Sequence, residues 1–274
     1  MIRGWQLAAS ALAIVAMVAT LGAEANAAQC GNGPGGFEAW KEQFAGEARA
    51  KGVGATAIDA LMQAHYASAT IAADRGQRSF GLSLEQFMAK RGSATIVARG
   101  RSLKQSQAAM FASIQQRYGV PPGPLIAIWG MESGFGSQRG NQNMLSSIAT
   151  LAYDCRRPEF FTEQLYAALK LIDRGSLSGS TRGSMHGEIG QTQFMPSSYI
   201  KFAVDFDGNG KRDLLHNVPD VLASTANFLK SYGWKKGKGW EPGSENFAVI
   251  QQWNKSEVYA KTIGYFATQL AKAP

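Results

Sequence analysis

The residues with the clearest chemical content lie in glycine-rich stretches, and the first of these holds one acid. In PPGPLIAIWGMESGFGSQRG, Pro121 to Gly140, the residues Leu125, Ile128, Trp129 and Glu132 fall at i, i+3, i+4 and i+7. That spacing is one face of a helix, so the carboxyl continues an apolar stripe. A carboxyl held against Trp and aliphatic groups is desolvated, which favours its neutral form and raises its pKa. An acid still protonated near neutral pH can give its proton to a leaving group, which is the need of glycosidic bond cleavage. The competing arrangement turns Glu132 aside as a solvated helix terminus. Gly134, Gly136 and Gly140 follow at once, and glycine lets a bulky ligand approach the backbone closely.

A second stretch, GSMHGEIGQTQFMPSSY from Gly183 to Tyr199, sets Ser184, Gln191, Gln193, Ser198 and Tyr199 among glycines and beside Phe194 and Met195. Amides and hydroxyls next to apolar surface suit carbohydrate, whose rings have apolar faces and hydroxyl edges. The alternative is a buried polar turn satisfied internally. A third stretch, DFDGNGKRDLLHNVPD, raises a metal question. Asp205, Asp207, Asn209, the Lys211 carbonyl and Asp213 fill the first five ligand positions of an EF-hand loop, with Gly210 at the sharp turn. His216 stands at the twelfth position and cannot supply the bidentate carboxylate. Either a weak Ca²⁺ site or a metal-free Asx turn fits that pattern. There is no GxSxG, P-loop or HExxH, and His65, His186 and His216 are too scattered for a zinc set.

The elements that must position these groups are helical. Phe37, Trp40 and Phe44, then Leu82, Leu84, Phe87 and Met88, carry a helical pattern from Phe37 to Tyr118, and prolines at 121, 122 and 124 open the helix of Glu132. Further helices are expected from Pro158, Pro219 and Ser256, each with the Pro or Ser start that helix entry favours. No stretch alternates long enough for a large sheet, so the fold class is mainly α.

Compartment follows from the N-terminus. Arg3, an apolar run from Leu7 to Ala23, and small residues Ala25 and Ala27 mark residues 1–27 as a removable signal peptide, with a membrane anchor as the rival reading. Cys30 and Cys155 are the two cysteines, and an oxidising compartment would join them as a disulfide; two separately buried thiols are the alternative. The net charge of +8 favours anionic partners such as cell-wall polymers. Nucleic acid is not expected, because an exported protein seldom meets it and the basic residues are dispersed. Their one local cluster, WKKGKGW, reads as a solvated turn.

Taken in order, AIWGMESGFG, GEIGQTQFMPSSY, AVDFDGNGKRDL and QQWNKSEVYA resemble the lytic murein transglycosylases of the soluble or membrane-bound B type, over roughly Phe37 to Leu270. The resemblance implies a lysozyme-like catalytic core, 119–274, with an additional helical subdomain, 28–118, together forming a transglycosylase domain over 28–274. It implies cleavage of the β-1,4 bond between N-acetylmuramic acid and N-acetylglucosamine without water, leaving 1,6-anhydromuramoyl ends. Glu132 matches the single catalytic acid. Ser184 and Gln193 match the polar groove lining, with Phe194 and Tyr199 beside them, and Asn254 and Tyr259 match the C-terminal wall. Asp220 matches the acid that closes an elongated metal loop, 205–220, and makes a structural Ca²⁺ ion the expected guest; no cofactor is required for chemistry. The implied setting is periplasmic, the protein a monomer, the partner a glycan strand, and other cell-wall enzymes are candidate partners. No extra C-terminal wall-binding module is expected.

One departure stands out. Glu188 in GEIG sits where the family pattern has a small residue. Facing the groove, it would serve as base for a water and make the protein a hydrolytic muramidase; on a turn, it would be solvated. His186 reads as a rim residue, and a non-catalytic murein-binding protein is the third alternative.

Overall fold

The computed structural model describes residues 29–76 and 82–272, so the expected signal segment lies outside the described residues. A short 3-10 turn, Pro34–Gly36, leads into α1 (Phe37–Ala50), α2 (Ala55–Met62) and α3 (Ser68–Arg75). These are followed by α4 (Leu84–Lys90), α5 (Ser93–Ser106) and α6 (Ala108–Tyr118). The second half holds α7 (Pro122–Ser133), α8 (Met144–Tyr153), α9 (Pro158–Asp173), α10 (Pro196–Phe202), α11 (Val218–Ser231), α12 (Glu245–Trp253) and α13 (Glu257–Ala271). The sheet content among the described residues is one antiparallel pair, β1 (Gln142–Asn143) with β2 (Arg182–Gly183), in which Gln142 faces Gly183. The mainly α expectation holds.

The helix of Glu132 is the centre of the packing. Pro121 precedes α7 in extended conformation, Pro122 occupies its first turn, and Gly134 ends it with φ +55° in the left-handed region. Proline at the start and glycine just past the end each suit the unpaired backbone groups there. The apolar stripe read from sequence understates this helix. Ile126, Ala127, Gly130 and Met131 on its other faces are also buried, because α13, α5, α6 and α11 close around it. Two glycines allow that closeness. A Cβ on Gly123 would stand 2.8 Å from the Ala267 carbonyl oxygen of α13, and one on Gly100 of α5 would stand 2.7 Å from the Ile126 Cγ2.

The helices before residue 119 are laid on the rest in two groups. α1, α2 and α3 pack on α8 and α9, while α4, α5 and α6 pack on α13, α7 and α11. One continuous apolar cluster, from Phe37 to Leu270, joins them. At α3 the contact is ionic. Asp74, almost fully buried, accepts from the guanidiniums of Arg156 and Arg157, and buried Asp154 accepts from Arg75 at 2.6 Å. Beside these pairs Cys30 and Cys155 form a disulfide, and the Gly31 amide donates to the Tyr153 carbonyl at 2.9 Å. The chain ahead of α1 is thereby fastened to the end of α8 and the segment that follows it. No helix among the described residues is long and apolar enough to cross a membrane.

Candidate active site

Glu132 sits in the last turn of α7, half-buried, where α12 gives way to α13. Two donors from that junction converge on one of its oxygens. The Trp253 indole donates to Oε1 at 2.8 Å, and the Tyr259 hydroxyl donates to the same atom at 2.5 Å. Among the described residues Oε2 accepts no hydrogen bond, so it is the oxygen left to exchange a proton. Burial is the largest influence on this carboxyl and raises its pKa to about 7. Donation from Tyr259 and Trp253 and the Arg91 charge oppose the rise, and the Glu188 charge adds to it. The Tyr259 phenol is itself pushed well up, first by burial and then by the carboxylate beside it, so it stays a donor.

The wall opposite the acid is built by the turn after β2. Ile189 and Phe194 pair through both amides, at 2.9 Å each, which forces the chain between them into a tight loop with Gln193 at φ +53°. A non-glycine residue there costs on the order of 1–3 kcal/mol, so the surroundings must hold it. They do so from α7. The Trp129 indole donates to the Gln191 side-chain oxygen at 3.0 Å, and the Ser133 hydroxyl donates to the Gln191 carbonyl at 2.5 Å. The Gln193 amide donates to the Gly190 carbonyl at 2.7 Å, which fixes the side chain in the same loop. Helix and loop are therefore one unit, and the acid and the polar loop keep a fixed relation.

Between them lies a cavity of about 510 Å³, a size suited to a small ligand or a sugar unit. Glu132, Ser184, Glu188, Gln193, Phe194, Trp253 and Asn254 line it, along with Ser198, Met195 and Phe228. Trp253 is held edge-on to Phe194 and Phe228, with ring centroids 5.3 and 4.9 Å away. Apolar ring edges and amides thus share one surface, as carbohydrate recognition needs.

Most residues expected from the sequence come together here, and two do not: Gln191 is buried between the Trp129 indole and the Leu215 carbonyl, and Tyr199 is turned away. Ser184, Gln193, Phe194 and Asn254 line the cavity, and Tyr259 reaches the acid from behind. Tyr199 stands apart. It is buried and donates its hydroxyl to the Arg212 carbonyl, with burial pushing the phenol up to about 12, so it braces the acidic loop instead of facing the cavity. Trp253 carries no sequence signal of its own, although QQWN places it next to Asn254; an indole in a helix reads as core until a carboxylate lies against its N–H. Glu188 lines the cavity rather than sitting on a solvated turn, and it accepts a hydrogen bond from the Ser184 hydroxyl.

The acidic loop has its own cluster. Carboxylate oxygens of Asp205, Asp207 and Asp220 lie within 4.8 Å of one another. Asp220 is fully buried, and its pKa is raised by burial and by the charges of Asp207 and Asp205. No Lys or Arg pairs with any of the three among the described residues. Such oxygen donors fit a hard divalent cation, with Gly210 at φ +84° making the sharp turn that the spacing requires. Asp213 stands outside the group. Its Oδ1 accepts from the amides of Leu215 and His216 at 2.8 and 2.9 Å, so it caps a turn. The Asn209 side-chain oxygen likewise accepts the Lys211 amide at 2.9 Å. Asn217, not singled out in the sequence, donates to Asp207 at 2.7 Å and caps α11.

The sequence profile of the transglycosylase SLT domain matches residues 36–244. The chain belongs to the transglycosylase SLT domain family. The membrane-bound lytic murein transglycosylase B of Escherichia coli K12 is 39% identical over 140 residues, which is 48% of this chain and 38% of that protein. The match therefore spans well under half the length of the curated relative. SltB3 from Pseudomonas aeruginosa, solved in complex with NAG-anhNAM-pentapeptide, superposes with a TM-score of 0.80 at 32% identity, covering 85% of this chain and 79% of that one. The Escherichia coli lytic transglycosylase Slt35, solved in complex with calcium, superposes with a TM-score of 0.75 at 24% identity over 89% of this chain and 96% of that one, a likeness of fold. In this transglycosylase-family chain the lysozyme-like, mainly α architecture is thus shared by its solved relatives.

Proposed function

We propose that this chain is a peptidoglycan lytic transglycosylase, working in the periplasm on the β-1,4 bond between N-acetylmuramic acid and N-acetylglucosamine. The observation that carries the reading is Glu132: a carboxyl with a pKa of about 7, one oxygen held by two donors and the other unengaged, in the wall of a sugar-sized cavity. The solved complex of SltB3 with NAG-anhNAM-pentapeptide supports it, as does family membership.

In this reading the Oε2 proton passes to the glycosidic oxygen as the C1–O bond breaks. The acetamido oxygen of the muramoyl unit stabilises the positive charge at C1, so no protein nucleophile is required. Glu132, now a carboxylate, takes the proton of the C6 hydroxyl while O6 bonds to C1. No water enters, the acid ends protonated, and the product carries a 1,6-anhydro ring. Ser184, Gln193, Phe194 and Asn254 hold the sugars. Trp253 and Tyr259 keep Oε1 as the acceptor and so keep the proton on the oxygen that faces work.

Glu188 supports a second reading, since a carboxylate in the same cavity could activate water and give a hydrolytic muramidase. Digesting purified murein sacculi and weighing the fragments separates the two. Fragments one water lighter than reducing ends are expected; reducing ends would install the muramidase, and intact sacculi would leave only a binding protein.

The acidic loop is proposed to take Ca²⁺ through Asp205, Asp207 and Asp220, with the Lys211 carbonyl and Asn209 as neighbouring donors and Asp213 left to its turn. The ion would neutralise three crowded carboxylates and stiffen the chain between α10 and α11, with no part in the chemistry. Calorimetric titration should show binding that Asp205→Asn with Asp207→Asn removes. An absence of heat at millimolar Ca²⁺ would return the loop to a metal-free turn.

A further inference from the structure

Glu132 borders two cavities, and they differ in charge. The first, lined by Ser184 and Asn254, contains no Lys or Arg and carries Glu188 as a second acid. The second, about 470 Å³, opens between α7 and the α4–α5 turn and is lined by Lys90, Arg91 and Arg99, with Glu132 as its one acid. All three cations are exposed, and none forms an ion pair among the described residues. Two of them are seated on rings. The Arg91 guanidinium lies 5.2 Å from the Phe87 centroid, and that of Arg99 lies 5.0 Å from Phe135 while donating to the Gly134 carbonyl at 3.4 Å. A planar cation stacked on an aromatic face keeps its N–H edges for an acceptor and loses less freedom when one arrives.

We propose that the cavity on the α4–α5 side of Glu132 is a carboxylate-binding subsite for the murein strand, formed by Lys90, Arg91 and Arg99. The proposal rests on the murein reading above. An N-acetylated hexosamine backbone is neutral, so the anions such a strand can offer are carboxylates. They come from its peptide stems, or from the lactyl ether of muramoyl units whose stem has been removed. A strand running past Glu132 would enter a neutral-to-acidic cavity on one side and a cationic one on the other. Its carboxylates would therefore set which sugar lies on which side of the acid. The subsite belongs to the helices before residue 119, which gives those helices a part in substrate choice as well as in packing.

Arg91 also bears on the Glu132 carboxyl, so turnover would mix two effects, and binding to Glu132→Gln protein is the cleaner measurement. Three probes are titrated calorimetrically at low salt: strands bearing pentapeptide stems, the same strands stripped of peptide by an amidase, and the neutral chitotetraose. Adding Arg91→Gln with Arg99→Gln should weaken binding of carboxylated strands about tenfold or more, the scale of a lost charge-assisted contact, and leave chitotetraose unchanged. The difference should shrink at high salt. Loss confined to stem-bearing strands assigns the peptide carboxylates, loss confined to stripped strands assigns the lactyl group, and loss on both means that the subsite takes either. Arg91→Lys with Arg99→Lys keeps the charge and should retain most of the affinity, which guards against a folding defect in the glutamine pair. Equal weakening of all three probes, or of none, overturns the subsite while leaving the murein reading in place. A parent protein that binds no strand removes both.

Discussion

Glu132→Gln is expected to lower release of murein fragments by at least about 10³-fold, since one residue gives and then takes the proton in both half-steps. The fold should survive, because the glutamine oxygen can still accept from Trp253 and Tyr259. Stability should change with pH in a defined direction. The carboxyl's pKa of about 7 in the native chain lies above its ordinary 4.5, so the native state holds this proton more tightly than the unfolded chain. That preference stabilises the native protein fully below about pH 4.5, and it is lost as pH rises through 7. Above pH 7 the ionised carboxylate then costs on the order of 3 kcal/mol that glutamine avoids. Thermal melts at pH 4 should find parent and variant alike, and at pH 8 the variant should melt several degrees higher. The pH profile of kcat/KM should fall on the alkaline side near 7 as the acid ionises. Equal melting at pH 8, or fragment release that persists in the variant, would remove Glu132 from its role.

The second large effect concerns the disulfide. Cys30 and Cys155 are separated by 125 residues, and closing a loop that long stabilises by roughly 4–5 kcal/mol in the chain-entropy limit, with about 2–5 kcal/mol usual for native bridges. Replacing both cysteines by alanine should therefore lower the unfolding free energy by about that amount, read as a lower denaturant midpoint. The local consequence should be visible first. The ion pairs of Asp74 and Asp154 still hold α3 to the segment after α8, but the chain before α1 loses its covalent tie and keeps only the Gly31–Tyr153 hydrogen bond. Limited proteolysis should then cut ahead of α1 under conditions in which the parent stays whole. An unchanged midpoint would mean that the buried ion pairs alone fix this corner.

How much of this was legible in the sequence depends on what each residue must satisfy. Glu132 could be singled out because a carboxyl in an apolar helical stripe conflicts with burial, and the structure does set it against Trp253 and Tyr259. The full burial of α7 was harder to see, since Gly, Ala and Ile on its remaining faces look like permissive positions until α5 and α13 are laid against them. Tyr199 shows the reverse error. A hydroxyl in a polar, glycine-rich motif can serve a ligand or a carbonyl with the same chemistry, and only the direction of its side chain, here toward Arg212, separates the two. Trp253 was silent because its work is done by one N–H on a carboxylate far away in the chain, and Asn217 because its oxygen reads as an ordinary helix cap while its N–H reaches Asp207 ten residues back. The two-residue strands carry no alternation at all. Asp213 satisfied a spacing rule, yet its carboxylate met nearer amides first, while Asp220 took its place in the cluster from the start of α11.

The close packing of α7 by α5, α6, α11 and α13 leaves little room for change beside Glu132. A methyl group added at Gly123 would press on α13, the helix that also delivers Tyr259, so neighbours cannot drift independently of the reactive centre. With the cationic cavity as proposed, an engineer seeking new preferences would begin in the surrounding loops and at the exposed positions of α4, α5 and the turn between them, such as Lys90, Arg91 and Arg99, rather than in α7.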